Sequence, residues 1–314
     1  VTEREITEPV ELCLPNGRLN PAAVGWARRP LVRPNLRGWG RAKRWEYWGV
    51  VTDRFCLGLV VSSLDYAGVC SLWVLDRETG RTWEREAVPP LGRGVAIPRG
   101  YGGVASVTSR ALRLEVSDSA LRATAPGVDV DLTVAQGAEV LGVVVPWSSR
   151  RFQYTVKDVS RPVGGSLRLD GTAYDVSGWA VLDHGRGKWP YAVTWNWAAG
   201  SGDGRGLTLG GKWTDGTGIT ENGLFVDGRL HKIGADLVWE YDRGDWLRPW
   251  RIRGDGVDAT FTPFHEKVSR TNLGVVANET HQRFGHWSGW ASADGERVEL
   301  DGLVGWAEEA RNRW

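Results

Sequence analysis

Along most of this 314-residue chain, apolar and polar positions alternate in short runs separated by turn residues. RWEYWGVVTD, FCLGLVVSSLDYAG and VCSLWVLDRETG open the pattern. ALRLEVSD, ALRATAPG, VDVDLTVA and EVLGVVVPW continue it. A period of two is the mark of strands with one face buried, and no 3.6-residue period longer than about three turns interrupts it. The second half repeats the pattern, with hairpins marked by Asp170-Gly171, Asp215-Gly216, Asp227-Gly228, Asp255-Gly256 and Asp294-Gly295. The reading is all-β: a meander of antiparallel strands, which avoids open edges most simply as closed or nearly closed barrels.

Three segments follow. Residues 1–43 carry Pro21, Pro30, Pro34 and recurring Arg, and read as an irregular arm anchored by Trp26 and Trp39. Residues 44–155 and 156–314 read as two β-barrel-like domains, with a boundary near 150–163 where PWSSRRFQYTVKDVSRPVGG mixes Pro, Ser and Arg. RWEYW (Arg44–Trp48) and KWPYAV (Lys188–Val193) form a faint internal echo, consistent with two related barrels.

The richest stretch is Ser177–Trp197, SGWAVLDHGRGKWPYAVTWNW. Alternation puts Trp179, Val181 and Asp183 on one face and Ala180, Leu182 and His184 on the other. Gly185-Arg186-Gly187 is expected to break the strand at that point, so GRGKW reads as a turn. Tyr191, Val193, Trp195 and Trp197 then share a face. An acid and an imidazole at a strand end beside a wall of indoles can form a reaction chamber or a well-bonded hairpin.

Composition narrows the classes. With 39 Lys+Arg against 38 Asp+Glu, the charge balance offers no case for a nucleic-acid partner. No 18-residue apolar run predicts a membrane-spanning segment, and no signal-peptide pattern is evident, so a cytoplasmic location is expected. Cys13, Cys56 and Cys70 have neither metal nor redox spacing and are expected as free thiols. The 19 Trp outnumber seven Tyr and six Phe, which suits thick β cores and ligand-cavity walls alike.

Three acids stand out. Glu46 shares a face with Trp48, opposite Trp45 and Tyr47. Asp183 is next to His184, and Glu221 precedes Asn222-Gly223 in ITENGLF. A carboxyl walled by indoles has its charged form desolvated, which makes it a proton donor near neutral pH. The bland counterpart is that each acid pairs with one of the Arg. Catalytic candidates are thus Asp183, His184, Glu221 and Glu46. Candidate substrate contacts are Trp48, Tyr191, Trp195, Trp197, Arg186 and His286. His281 and His286 lie five apart, on opposite strand faces, so no metal is expected.

SGWAVLDHGRG, WNW and the terminal FGHWSGWASADGERVELDGLVGWAEE resemble the two-barrel, lipocalin-like superfamily that includes carotenoid 1,2-hydratases. NPAAVGWARRP, NLRGWGRAKRWEYW, LDYAG, DHGRG, GITENGLFVDG and QRFGHWSG resemble one branch of it, the DUF2804 family. The resemblance implies two packed lipocalin-like barrels more strongly than a reaction. In the hydratases a carboxylic acid is thought to protonate an alkene, and Asp183-His184 match their Asp-His element. Arg186 stands where those proteins have an apolar wall, which argues against hydration of a plain polyene. The expected function is a cofactor-independent enzyme acting on a mostly apolar small molecule in a barrel cavity, by isomerisation, cyclisation, hydration or elimination. The alternatives are a carbohydrate-active or sugar-binding protein, with exposed Trp faces and paired carboxylates, or a non-catalytic small-molecule carrier.

Overall fold

The computed structural model describes residues 3–272 and 277–313. Among these, two curled antiparallel half-barrel sheets dominate, with one 3₁₀ turn at Pro21–Ala23 and no α-helix. No helix among the described residues is long and apolar enough to cross a membrane.

The first sheet is centred on two long strands, Arg151–Leu169 and Thr172–Lys188, joined by a tight turn. Thr172–Lys188 pairs along its second half with Ala42–Thr52, which leads on to Phe55–Ser63, Gly68–Asp76 and Thr82–Ala87. The second sheet is centred on Ala192–Gly202, Val304–Arg313 and Ala277–Ala293, with Arg205–Gly211 and Val257–Asn272 outside them. The Asp-Gly pairs at 170–171, 227–228 and 294–295 have positive φ at both residues, the backbone that a twist-matched two-residue hairpin demands.

The burial rhythm explains the layering. Val128–Val134 alternates strictly between buried and exposed, as a strand with one wet face must. Phe55–Ser63 is buried almost continuously, because one face (Leu57, Leu59, Val61) fills the interior of the first half-barrel and the other (Cys56) meets the layer between the sheets. That middle layer contains Trp73, Val181, Trp197, Phe284 and Trp306. The second interior is built on Leu207, Trp250, Phe261 and Trp287. Cys13, Cys56 and Cys70 are free and buried.

Several expectations change here. The 150–163 stretch, where a boundary is expected, includes the start of the long strand Arg151–Leu169, and the positive φ of Ser160 falls in a register shift between Asp158 and Arg161. The chain passes from one sheet to the other between Lys188 and Ala192. Gly185-Arg186-Gly187 does not break its strand, which runs on to Lys188. Gly185 is instead a packing requirement, since a Cβ there would stand 2.1 Å from the Trp45 indole, and one at Gly187 would stand 2.1 Å from the Gln153 amide. In the arm, Trp26 is buried as an anchor and Gly25–Ala27 adds a strand beside Leu141–Ser148, but Trp39 is 71% exposed and anchors nothing.

The two sheets repeat one register. In the first, Tyr47 faces Asp183 and Asp183 faces Lys157 across three strands. In the second, Trp197 faces Glu308 and Glu308 faces Gln282. The counterpart of Trp45-Glu46-Tyr47 is therefore Trp195-Asn196-Trp197, not the KWPYAV segment.

Candidate active site

The two equivalent rows meet in the layer between the sheets. Asp183 projects into it because the odd-numbered residues of its strand face the second sheet, as Val181 does. Its Oδ1 accepts from Thr155 Oγ1 at 2.8 Å and pairs with Lys157 Nζ at 2.9 Å, and its Oδ2 accepts from Trp45 Nε1 at 3.0 Å. Lys157 Nζ also reaches Glu221 Oε1 at 3.2 Å and lies 3.9 Å from the centroid of the Trp197 ring. In the second row Glu308 accepts from Trp195 Nε1 at 2.9 Å and from Gln282 Nε2 at 3.0 Å, and that amide also donates to the Tyr47 hydroxyl at 3.2 Å. Each sheet thus supplies one acid held by one indole N–H from the neighbouring strand.

Three carboxyl groups share this layer, and Lys157 is ion-paired to two of them. Burial pushes the Glu221 carboxyl up to about 7; Lys157 pulls it down and Asp183 pushes it up further. Burial likewise raises Glu308 to about 7, against the hydrogen bond from Trp195. Burial alone would lower Lys157, but Asp183 and Glu221 outweigh it and raise its pKa, so it stays a cation. Two carboxyls whose protons move near neutrality, close to a fixed ion pair, can donate and accept protons without a cofactor.

Indoles wall this cluster. Trp189, on the crossover between the sheets, contacts Trp45, Trp147, Trp195 and Trp213 at centroid distances of 4.9–5.8 Å. Tyr47 stands edge-on to Trp197 and Trp306. Gly185→Ala is expected to push the Trp45 indole off Asp183 and cost about 1–3 kcal/mol, read as a lower urea midpoint.

The predicted residues therefore divide into groups. Asp183 and Glu221 come together through Lys157, whose ammonium lies over Trp197, while Trp195 holds Glu308. Glu46, His184 and Arg186 form a separate buried cluster on the opposite face of the first sheet, so His184 does not orient Asp183. His184 Nδ1 is 2.8 Å from Glu46 Oε1, and Arg186 donates to the same oxygen and to the carbonyls of Trp45, Gly185, Pro98 and Arg99. Burial would raise Glu46, but His184 and Arg186 reverse that and lower its pKa; burial lowers that of His184. Because Arg186 points away from the Asp183 layer, the argument that it would oppose a cation there does not apply. Trp48 belongs to the first interior, Tyr191 is 47% exposed, and His286 is exposed beside Arg77 and Phe264. Neither Trp48 nor His286 makes a hydrogen bond, ion pair or ring contact with the acid cluster among the described residues.

Sequence reasoning missed Lys157, Gln282 and Glu308. The signal was a solitary Lys inside the apolar run FQYTVKDV and paired acids inside GWAEEA, both unusual in strands buried on two faces.

Fold and site together define a lipocalin-like, two-sheet β protein with an acid cluster sealed between its halves. The family model described as "Domain of unknown function (DUF2804)" matches residues 3–314, and the chain belongs to that family. Kievitone hydratase from Nectria haematococca has a similar fold, with a TM-score of 0.56 and 12% identity over 88% of this chain and 89% of the hydratase. CghA, solved with Sch210972, is similar with a TM-score of 0.51 and 11% identity over 87% of this chain and 88% of CghA. A search of curated proteins returns no match.

Proposed function

We propose that this protein is a cofactor-independent enzyme that carries out acid/base chemistry on a mostly apolar small molecule held between the two sheets. The observation that carries this reading is Glu221, a carboxyl sealed among indoles and raised to about 7 beside the Lys157–Asp183 ion pair. Glu221 is the proton donor and acceptor. Asp183, with its oxygens taken up by Thr155, Trp45 and Lys157, fixes the ammonium that tunes Glu221. Hydration, elimination, isomerisation and cyclisation each need one such proton transfer and an environment poor in water. The hydratase name of one structural neighbour favours hydration within that set. The sugar-binding alternative has less support, since Trp39, remote in the arm, is the one strongly exposed indole among the described residues.

The test is to incubate the protein with kievitone and a panel of conjugated alkenes in ¹⁸O-labelled water. Mass spectrometry should reveal a product heavier by one labelled water, or an isomer. Glu221→Gln should lower that turnover by about a hundredfold or more while circular dichroism reports a folded protein. Tight binding of a panel member without conversion would favour the carrier instead.

A further inference from the structure

Next to the acid cluster lies a cation that the chemistry above does not use. Lys267 faces Gln282 across one strand pair, and Gln282 faces Glu308 across the next, so the three side chains form one row on the inner face of the second sheet. The Lys267 ammonium lies 5.3 Å from the centroid of the Trp73 ring. Trp73 is stacked on Phe284 at 4.8 Å and 19°. Among the described residues no carboxylate or carbonyl makes a hydrogen bond or ion pair with Lys267 Nζ. By contrast Lys157, in the first sheet, is clasped by two acids. Lys267 senses Glu308 on its inner side and Glu84 and Glu86 on its outer side, and burial lowers its pKa. Glu84 and Glu86 are exposed. The amine thus lies in the row that leads to the buried acid, against the Trp73 indole and with no hydrogen-bonded or ion-paired acceptor among the described residues.

We infer that Lys267 and Glu308 receive the oxygen of a conjugated carbonyl on a planar, otherwise apolar substrate, Lys267 as the hydrogen-bond donor and Glu308 as the proton donor. Trp73 and Phe284 are part of the aromatic packing of the layer between the sheets, an environment chemically matched to a flat conjugated system. An uncommitted ammonium in a desolvated place gains most from an oxygen that carries or develops negative charge. The inference rests on the acid/base reading for its chemistry but concerns the opposite end of the ligand, and it is tested by binding alone.

The probes are trans-chalcone and its deoxygenated counterpart, trans-1,3-diphenylpropene, titrated against the full chain by quenching of tryptophan fluorescence. The native protein should bind the ketone more tightly than the hydrocarbon by about tenfold or more, the gain typical of a charge-assisted hydrogen bond. Lys267→Met should abolish that preference and leave hydrocarbon affinity unchanged. Glu308→Gln should reduce it, and circular dichroism should report both variants folded. Equal affinity for the two probes in the native protein, a preference that survives in Lys267→Met, or no binding of either probe would each overturn the inference. A carbonyl preference with no turnover of any alkene would leave the inference standing and remove the reaction proposed for Glu221.

Discussion

Lys157→Met should destabilise the fold by about 3–5 kcal/mol, the cost of leaving buried carboxylates without their cation. The substitution keeps the length of the side chain, so packing against Trp197 survives and the loss is electrostatic. Asp183 and Glu221, 2.9 and 3.2 Å from the ammonium in the native protein, would face each other with nothing between them. The penalty should be smaller at pH 6 than at pH 8, because Glu221, raised to about 7, is mostly neutral at the lower value. Adding Asp183→Asn to Lys157→Met should recover part of the loss. Urea denaturation of the three proteins at both pH values measures this. A loss below about 1 kcal/mol at pH 8 would show that the row contributes little to stability.

The second large effect is on the pH dependence of stability. Glu221 and Glu308 are both raised to about 7 in the fold, against about 4.3 in an unfolded chain. The native protein therefore holds more protons than the unfolded chain between those values, and stability falls as pH rises through that window. Each acid contributes on the order of 3 kcal/mol, fully present below about pH 4 and lost by about pH 8. His184, His265 and His286, lowered by burial, act in the opposite direction, adding stability as pH rises through the ordinary histidine range. The clean measurement is thus a difference. Chemical denaturation of the native chain and of the Glu221→Gln, Glu308→Gln double variant should diverge between pH 4.5 and 8, with the variant relatively more stable at the alkaline end. Parallel curves would mean that these carboxyls titrate as ordinary surface acids.

The fold was legible because alternation and Asp-Gly punctuation are local signals. VDVDLTV needs no partner to be recognised as a half-buried strand, and Asp227-Gly228 needs none to be read as a hairpin. The site was half legible. Asp183 and Glu221 could be picked out as acids among tryptophans, but what joins them is Lys157, which lies 26 positions before Asp183 and reaches it only through strand register. Alternation alone separated Asp183 from His184, yet adjacency in the chain suggested a working pair. The structure shows that adjacent strand residues serve different layers, His184 with Glu46 and Asp183 with Lys157. The Gly185-Arg186-Gly187 reading failed for a related reason, since those glycines make room for Trp45 and Gln153 on neighbouring strands and bend nothing.

The repeated register also bears on how the molecule comes apart. Trp197 of the second sheet covers the Lys157 of the first, and Gln282 of the second bonds Tyr47 of the first while holding Glu308. If either sheet unravelled alone, the other would be left with ionisable groups on a bare apolar face, without the aromatic cover that balances their desolvation. A half-folded chain is thereby the costliest arrangement open to the protein. The cluster that equips it for chemistry also couples its two halves into a single cooperative unit.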